Sequence, residues 1–402
     1  MTAISNRIDN SAIWPSTDGL ISRECLQEIR SRAAAADLSG KIPDDDIELL
    51  RRVGYLGFPI PKQFGGAGAS MVECCAVQMR LGAANAGLAI GLNMHLFTVG
   101  VLLEHWRRHR DLSWALMEAI ATQNRVVASA FAEPSLGGSV LRSNCTAVPS
   151  QGGYVVSGIK VPCSLAGRAD LICLQAETNE DRPDRLIVAL VPSTASGIHV
   201  EHTWDALGMR ASESNTIILK DCFIPNDLVF HRCVPGSDDD PVFAASICWF
   251  CLLSTSTYVG LAHSALAAAS ELLRSSRLSH LGVNRDKVSS HQGWLGDLVA
   301  DLTSLECACF GLASRYDHDN ASATELLPLA LGIKHSSVER CNRIVTQAME
   351  MVGGRAYAKD GLLTRLLRDV HAIGFHPPTR LASRQMLGKW MLDLPFSFEL
   401  SE

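Results

Sequence analysis

Two segments near the middle of the chain have the residue types of a ligand-binding loop. Residues 129–139 read SAFAEPSLGGS, in which a Glu-Pro pair precedes a loop rich in serine and glycine. Such a loop can direct several backbone amides at a phosphate or at an electron-rich ring. Residues 157–171, SGIKVPCSLAGRADL, place small and polar residues where a strand favours bulk, and glycine in a strand often marks close approach of a ligand. Either segment alone would be interpreted as an irregular edge loop.

A corner late in the chain, Phe375-His376-Pro377-Pro378, separates two helix-like segments. Because both prolines fix the backbone and lack an amide donor, we expect a rigid connection between two helices. His376 has an imidazole whose ordinary pKa is close to neutrality, which suits proton transfer. A histidine before such a corner also serves as a cap or a brace, and both interpretations stay open.

The composition is that of a large globular protein. The chain has 402 residues, 47% of them hydrophobic, and 36 Lys plus Arg against 42 Asp plus Glu give a net charge of −6. No Lys/Arg-rich run of the kind that follows a phosphate backbone is present, so we expect no nucleic-acid partner.

Thirteen cysteines follow no regular spacing, which in a long chain indicates reduced thiols and a cytoplasmic protein. The CxxC sequence at residues 248–251 lies in an apolar run without a second Cys or His pair, so no metal site is predicted. The thiols that we expect to pack as small buried hydrophobic side chains are Cys74, Cys75, Cys248, Cys251, Cys307 and Cys309.

Two segments bear on targeting. Residues 1–11 contain no apolar run, so we expect no secretory signal. Residues 241–270 contain no Asp, Glu, Lys or Arg over a length that could span a bilayer. They are rich in serine, threonine and small residues and lack basic flanks on one side. We therefore predict a helix buried on all sides in a bundle and no membrane partner.

The spacing of apolar residues changes twice along the chain. Residues 1–125 have helical spacing, as in IPDDDIELLRRVGYLGF, where aspartates open a helix after Pro43. Residues 126–238 contain short β-branched runs between turn clusters, and residues 239–402 return to long helices, one ending at Gly353-Gly354. We predict an α+β fold with an N-terminal helical domain, a central β-barrel-like domain and a C-terminal four-helix bundle.

Five segments, in the correct order, resemble motifs of the acyl-CoA dehydrogenase superfamily of flavoproteins, and the resemblance covers nearly the whole chain. The segment at residues 131–139 resembles the family's TEPGAGS-type flavin loop. The segment at residues 158–171 resembles the family's GxKxWITNGxxAD strand. The resemblance implies bound FAD at the domain junctions of a homodimer or homotetramer. The segments are GYLGFPIPKQFGGAG (54–68), FAEPSLGGS (131–139), GIKVPCSLAGRADL (158–171), WDALGMRASESNTIILKDCFIP (204–225) and MEMVGGRAYAKDGLLTRLLRDV (349–370).

The resemblance implies that the first loop contacts the flavin ring through backbone and hydroxyl groups. The expected contacts are Phe131, Ala132, Gly137 and Ser139. Ala132 stands where the family commonly has threonine, so one hydroxyl contact is missing.

The strand segment would bring Cys163 and Ser164 beside the flavin, with Ser164 where the family places a threonine hydroxyl near N5. Pro162 replaces the usual tryptophan, so another group must shield the ring.

The resemblance also places Gly353 and Gly354 against the pyrophosphate of an FAD that a neighbouring subunit partly holds, where glycine allows close backbone approach. Glu350 falls where the family usually has glutamine, and a carboxylate there is unfavourable unless it points away. Arg274 and Arg277 are offset candidates for the family's arginine at the subunit boundary.

The family's usual catalytic carboxylate is missing. In acyl-CoA dehydrogenases a glutamate takes the α-proton of the thioester while the flavin takes the β-hydride. Pro377 stands at its position, and Thr379 matches the family's nearby threonine, which places Thr379 at the expected cofactor site. Some members of the family carry the catalytic glutamate on an earlier helix. In this sequence Phe250 and Cys251 occupy that position. A positioned base contributes roughly 10²- to 10⁴-fold to proton abstraction, so this loss needs an explanation.

Two explanations stay open. His376 could be the replacement base in an atypical dehydrogenase of an acyl thioester, carried by CoA or an acyl carrier protein, with an electron-transfer partner; this is the function that we expect. The alternative is a two-component monooxygenase supplied by a flavin reductase. Such members of the superfamily also lack the glutamate, and some have a similar His-containing corner. A third hypothesis is a structural or interaction protein that binds flavin weakly or not at all.

Overall fold

The computed structural model describes residues 14–17, 19–318 and 322–394. Helices, then strands, then helices follow one another along the chain, and the predicted α+β fold is confirmed. The domain limits placed at residues 125 and 238 stay predictions. Residues 1–11, from which we expected no secretory signal, lie outside the described residues.

The N-terminal helices begin at residues that suit helix caps. The Ser70 hydroxyl accepts a hydrogen bond from the Glu73 amide, and the Glu73 carboxylate accepts one from the Ser70 amide, which gives helix α3 a capping box. Helix α2 begins after Pro43, as predicted, with aspartates in its first turn. The helices are α1 (Arg23–Ser39), α2 (Asp44–Arg52), α3 (Met71–Ala84), α4 (Ala86–His109) and α5 (Trp114–Thr122).

The central region forms one sheet. The strands are β1 (Val127–Ala130), β2 (Thr146–Ser150), β3 (Gly153–Cys163), β4 (Leu171–Thr178), β5 (Leu186–Pro192), β6 (Ile198–Glu201), β7 (Asn215–Pro225) and β8 (Val229–Cys233). They are ordered β6-β7-β3-β2-β4-β5-β8, and β1 pairs in parallel with β4. Strand β1 also packs against α4, which joins the sheet to the N-terminal helices.

The C-terminal region is a bundle around its first helix. Helix α6 packs against α3, α4 and α8. Helix α8 ends at Val352, and Gly353, where a stop was predicted, caps it. The elements are α6 (Pro241–Ser275), the hairpin β9 (Arg277–Leu278) and β10 (Val283–Asn284), α7 (Ser289–His318), α8 (Ala323–Val352), α9 (Leu362–Val370) and α10 (Arg380–Met391).

Two of the described helices, α4 and α6, are long and apolar enough to cross a membrane by length and composition alone. The most apolar part of each lies inside the protein: 94% of that part is buried in α4 and 100% in α6. Helix α6 is thus the buried core helix that the sequence predicted, and core helices of this kind routinely have such a composition.

The prediction of buried thiols is correct for all but one of the named cysteines. Cys307 is exposed, whereas Cys309 is buried. Two residues along a helix correspond to more than half a turn, so the two side chains leave α7 on opposite faces. The named thiols that are buried are Cys74, Cys75, Cys248, Cys251 and Cys309.

Candidate functional site

A cavity of about 620 Å³ lies where the sheet meets the helices. Six of the predicted site residues line it: Phe131, Ala132, Gly137, Ser164, His376 and Thr379. They come from the loop after β1, the end of β3 and the segment before α10. Residues more than 200 positions apart in sequence are therefore brought together around one space.

One side of the cavity carries a row of serine hydroxyls. The Ser164 and Ser214 oxygens are 2.8 Å apart, and those of Ser214 and Ser212 are 2.7 Å apart. We call Ser164, Ser214 and Ser212 the serine row. Nearby, the buried Ser129 hydroxyl lines the cavity and has no hydrogen-bond partner within the described part of the chain. These hydroxyls can bind the polar edge of a ligand.

The loop after β1 also lines the cavity and approaches the segment before α10. Gly137 and Gly138 have φ angles of +59° and +88°, the left-handed region that glycine adopts without strain. A Cβ on Gly138 would lie 3.3 Å from Pro377 Cγ, so glycine keeps the loop close to the corner. Thr379 caps α10 by accepting a hydrogen bond from the Ala382 amide at 3.3 Å.

A buried ion pair holds the base of this loop. Glu133 forms an ion pair with Lys160 of β3, and both side chains are almost fully buried. The same carboxylate accepts hydrogen bonds from the Ser143 hydroxyl and, at 2.6 Å, from the Asn144 amide. Both carboxylate oxygens of Glu133 therefore already have protein partners, although the residue lines the cavity.

The segment 375–378, which we call the proline corner, forms another side of the cavity. The Tyr258 hydroxyl lies 2.7 Å from Nε2 of His376. The Lys334 ammonium donates hydrogen bonds to the carbonyl oxygens of His376 at 2.8 Å and Pro378 at 2.7 Å. The prolines do connect two helices, α9 and α10, and Lys334 fixes the path of that connection.

Burial controls the charge of the groups at the proline corner. Burial, together with the charge of Lys334, lowers the pKa of His376 to about 3. Burial also lowers the pKa of Lys334 to about 8, and it raises the pKa of Tyr258 well above its usual value. At neutral pH, His376 is therefore neutral and Tyr258 keeps its proton.

Aromatic rings form a continuous apolar surface between the loop and the proline corner. Phe131 and Phe97 meet edge to face with centroids 5.5 Å apart, and Phe97 and Phe250 do so at 6.0 Å. The Phe250 and His376 rings follow at 6.3 Å. Phe250, which stands at the position where some family members carry the catalytic glutamate, thus lines the cavity. Its neighbour Cys251 is fully buried and does not line the cavity.

Helix α9 closes the cavity against the segment after β6. The Asp369 carboxylate accepts a hydrogen bond from the Met209 amide at 2.6 Å, and burial raises the pKa of Asp369 to about 6. Arg368 donates to the Leu207 carbonyl at 2.9 Å. A Cβ on Gly208 would lie 2.3 Å from the Arg368 carbonyl, so only glycine permits this contact.

Other predicted site residues do not line the cavity. Cys163 is fully buried, and the Ser139 hydroxyl accepts a hydrogen bond from the Leu141 amide. Glu350, Gly353 and Gly354 lie at the distant end of α8, where Glu350 and Gly354 are exposed.

Arg285 is the arginine that approaches Gly353. It donates hydrogen bonds to the carbonyls of Met351 and Val352, and a Cβ on Gly353 would lie 3.4 Å from its guanidinium. The arginine beside this segment is therefore Arg285, and neither Arg274 nor Arg277, the predicted candidates, is shown to take that place.

Tyr258, Lys334 and the serines at 212 and 214 escaped prediction. Lys334 had a visible signal: it lies on the same helical face as Leu327, Leu331 and Val338, which are all buried, and a lysine in such an apolar stripe is unusual. Tyr258 had none, because its partner is 118 positions away in the chain.

The residues around the cavity fit a flavin ring. A flat aromatic ring needs apolar faces, which the phenylalanines supply, and hydrogen-bond partners at its edge, which the serine row and the unpaired Ser129 hydroxyl supply. The volume is also in the range of small-molecule sites.

Models of known protein families match all three regions. The N-terminal domain of acyl-CoA dehydrogenase matches residues 20–108, the middle domain residues 128–222, and the C-terminal domain residues 252–380.

Individual relatives cover almost the whole chain. Isobutylamine N-hydroxylase of Streptomyces viridifaciens is 30% identical over 87% of this chain and 89% of its own. Mitochondrial isovaleryl-CoA dehydrogenase of Oryza sativa subsp. japonica is 24% identical over 90% of this chain and 87% of its own. The structure of KijD3 in complex with FMN and dTDP-3-amino-2,3,6-trideoxy-4-keto-3-methyl-D-glucose is 25% identical, has a TM-score of 0.83, and the match covers 95% of this chain and 97% of that one. The chain therefore belongs to the acyl-CoA dehydrogenase superfamily of flavoproteins and is a flavin-dependent oxidoreductase.

Proposed function

We propose that the protein is a two-component flavin-dependent monooxygenase that oxygenates the nitrogen of a small, largely apolar amine. One observation carries the proposal: among the described residues that line the cavity, Glu133 is the only carboxylate, and its oxygens are bound to Lys160, Ser143 and Asn144. No lining carboxylate is thus free to take an α-proton from a thioester. On this ground we propose oxygenation in place of the thioester dehydrogenation that we expected from the sequence, and dehydrogenation is the alternative that the test below addresses.

The geometry of His376 also argues against proton abstraction. Its pKa of about 3 makes the neutral ring a weak base at neutral pH, and its Nε2 is engaged with the Tyr258 hydroxyl. An efficient general base has a pKa near the working pH. His376 fits better as a neutral hydrogen-bonding group at the reaction centre, and its catalytic role is part of this proposal.

The reaction proposed is R–NH₂ + O₂ + reduced flavin → R–NHOH + H₂O + oxidised flavin. A reduced flavin bound in the cavity would supply the two electrons and the two hydrogens that this equation requires. The amine nitrogen forms a bond to one oxygen atom. The protein's residues exclude water with Phe97, Phe131 and Phe250, and they hold the polar edge of the ligand with the serine row.

The absence of a free carboxylate suits an amine substrate in its reactive form. A carboxylate in the cavity would bind and stabilise an alkylammonium ion, which has no lone pair to react. The apolar surface of Phe97, Phe131 and Phe250 disfavours that charged form and favours the neutral amine. The names of isobutylamine N-hydroxylase and of the amino-sugar complex of KijD3 support a nitrogen-containing substrate.

We propose FAD as the flavin. The support is the glycine pair at the end of α8 with the Arg285 guanidinium beside it, a place where the adenosine half could lie. The FMN in the KijD3 complex favours the smaller flavin, so the flavin that the purified protein retains must be identified. The same proposal includes a flavin reductase as partner and a homo-oligomeric assembly. It also includes a cytoplasmic location, with which the thirteen free thiols are consistent.

The test supplies the protein with FAD or FMN, a separate reductase, NADH and ¹⁸O₂. Short branched alkylamines, an amino-sugar nucleotide and acyl-CoA thioesters are offered in parallel, and products are analysed by mass spectrometry. We expect one ¹⁸O atom in the product of an amine and no change in the thioesters. A thioester that loses two hydrogens without gaining ¹⁸O would contradict the proposal, and failure to bind either flavin would favour a structural role.

A further inference from the structure

Three histidines meet outside the cavity, at the junction of the three regions. His105 and His109 lie one turn apart in the last turns of α4, and His231 comes from β8. Ring nitrogens of the three lie within 4.8 Å of one another. We call these residues the histidine cluster. His105 and His231 are buried and His109 is exposed, so the cluster opens to solvent on one side.

Each buried ring is oriented by a carboxylate. Nε2 of His105 lies 2.9 Å from an Asp111 oxygen, and Nε2 of His231 lies 3.1 Å from an Asp240 oxygen. An ionised carboxylate only accepts hydrogen bonds, so each Nε2 carries the hydrogen of its neutral ring. Their Nδ1 atoms, which then hold lone pairs, face each other at 3.1 Å. Two lone pairs at this distance repel unless a cation lies between them.

We propose that the histidine cluster binds one divalent first-row transition-metal ion, such as Zn²⁺, through His105, His109 and His231. Bonds of about 2.0–2.1 Å in tetrahedral geometry separate two ligand nitrogens by roughly 3.3–3.4 Å, close to the facing Nδ1 atoms. The two aspartates match the carboxylate–histidine–metal arrangement that fixes the orientation of metal ligands. Their charge of −2 offsets that of a divalent ion.

The described arginines that follow His105 at the end of α4 have partners of their own. Arg107 and Arg108 pair with Glu104, and the Arg110 guanidinium lies over the Trp106 ring at 4.1 Å. The cluster also lies at the C-terminal end of α4, where the helix dipole favours positive charge. These three arginines therefore do not compete with a cation at the cluster.

Cys233 offers a second arrangement with His231 and Asp240. That arrangement needs Asp240 as a ligand, but the Asp240 carboxylate already accepts hydrogen bonds from the Val242 and Phe243 amides and faces the His231 ring. The three imidazoles are the better ligand set, and they leave the fourth position to water on the exposed side of His109.

The ion would fasten three regions of the fold. Helix α4 belongs to the N-terminal helices and β8 to the sheet, while Asp240 caps α6 through the amides of Val242 and Phe243. None of the three histidines lines the cavity, so we assign the ion a structural role that is independent of the proposed oxygenation.

The experiment titrates Zn²⁺ into the full, untagged, metal-free chain in competition with a chromophoric chelator. We expect one equivalent to bind and to raise the temperature of thermal unfolding. Asp111→Asn should weaken binding about 10- to 100-fold. His109→Ala, a change at an exposed position, should weaken it at least about 10-fold, whereas His280→Ala, an exposed histidine elsewhere, should not. X-ray absorption should find nitrogen or oxygen ligands at about 2.0–2.1 Å.

Equal Zn²⁺ affinity in the wild type and in His109→Ala would overturn the proposal, because the bound ion would then lie elsewhere. So would the absence of stoichiometric binding, which would leave the two buried rings sharing a proton. Neither result would bear on oxygenation, since the readout is metal binding.

Discussion

The β-sheet side and the proline-corner side of the cavity differ in what they retain of the family. The sheet side keeps a hydroxyl at Ser164, a glycine loop at 137–138 and a buried ion pair that supports the loop. The proline corner has prolines where the family's glutamate would stand, and a neutral histidine beside them.

The two sides of the cavity thus have different functions: the sheet side bears on flavin binding, and the proline corner bears on the reaction. A flavin ring needs polar contacts at its edge, and the sheet side provides them with serine hydroxyls. It also needs apolar faces, which Phe131 of the loop and Phe97 and Phe250 of the helices provide. Proton abstraction needs a base of suitable pKa, and the proline corner lacks one. A superfamily fold can therefore keep its cofactor site while its reaction changes.

The largest expected effect is on the sheet side. Lys160→Met should lower the free energy of unfolding by about 3–5 kcal/mol, because Glu133 would remain as a buried charge without its partner. Urea unfolding measures the change. The double variant Lys160→Met/Glu133→Gln, which removes both charges, should regain most of it; an equally unstable double variant would show that packing, rather than the ion pair, supports the loop.

At the proline corner, Lys334 should make stability depend on alkaline pH. The pKa of Lys334 in the folded protein, about 8, is below the ordinary value of about 10.4 that we assume for the unfolded state. Between these two pH values the unfolded state binds more protons, so the free energy of unfolding rises with pH. From about pH 7 to about pH 9.5 the gain is about 2 kcal/mol for this group. It should appear as the difference between the wild type and Lys334→Met. Lys287→Met, at an exposed position, is the control and should show no such difference.

His376 should make stability depend on acidic pH, with an effect on the free energy of unfolding that is comparable to or smaller than that of Lys334. Its folded pKa of about 3 is depressed below about 6.5, so the unfolded state binds the proton first and stability falls as pH drops below 6.5. The expected loss is about 2 kcal/mol from about pH 7.5 to about pH 5. His376→Gln should remove this part of the pH dependence, while His280→Gln should leave it intact. If His376→Gln lost as much stability as the wild type between about pH 7.5 and about pH 5, the ring of His376 would have to be protonated in the folded protein over that range.

The last expected effect concerns the end of α8. Gly353 has a φ of +77° and a ψ of −160°, a combination that essentially only glycine adopts, so Gly353→Ala should cost about 1–3 kcal/mol of stability. If FAD is the cofactor, the variant should also bind FAD more weakly while FMN binding is unchanged. Gly332→Ala, in the open interior of the same helix, should be neutral or slightly stabilising. Equal loss of both flavins would contradict a role for this segment with the adenosine half.

Local patterns predicted much of the fold. The aspartates after Pro43 indicated the start of α2, the glycine pair indicated the end of α8, and β-branched runs indicated the sheet. The motifs of the family placed Phe131, Ser164 and His376 around one site, which the cavity brings together.

Contacts between distant segments could not be predicted. His105 and His231 are separated by 126 positions, and Lys334 reaches the carbonyl of His376 across 42. Such pairs depend on how the helices and the sheet dock, which a local pattern does not encode. The family motifs also implied that Gly353 and Gly354 contact the pyrophosphate of an FAD that a neighbouring subunit partly holds. The pair lies at the end of α8, outside the cavity lining, and this contact stays a prediction.

The central claim is that the cavity holds a flavin but that its described lining offers no free carboxylate to act as the base of thioester oxidation. The most direct test mixes the protein and oxidised flavin anaerobically with saturated acyl thioesters of increasing length and follows the visible absorbance of the flavin. We predict that no thioester bleaches it, whereas dithionite does. Bleaching by any thioester would contradict the account, and loss of that bleaching in His376→Gln would then identify His376 as the replacement base.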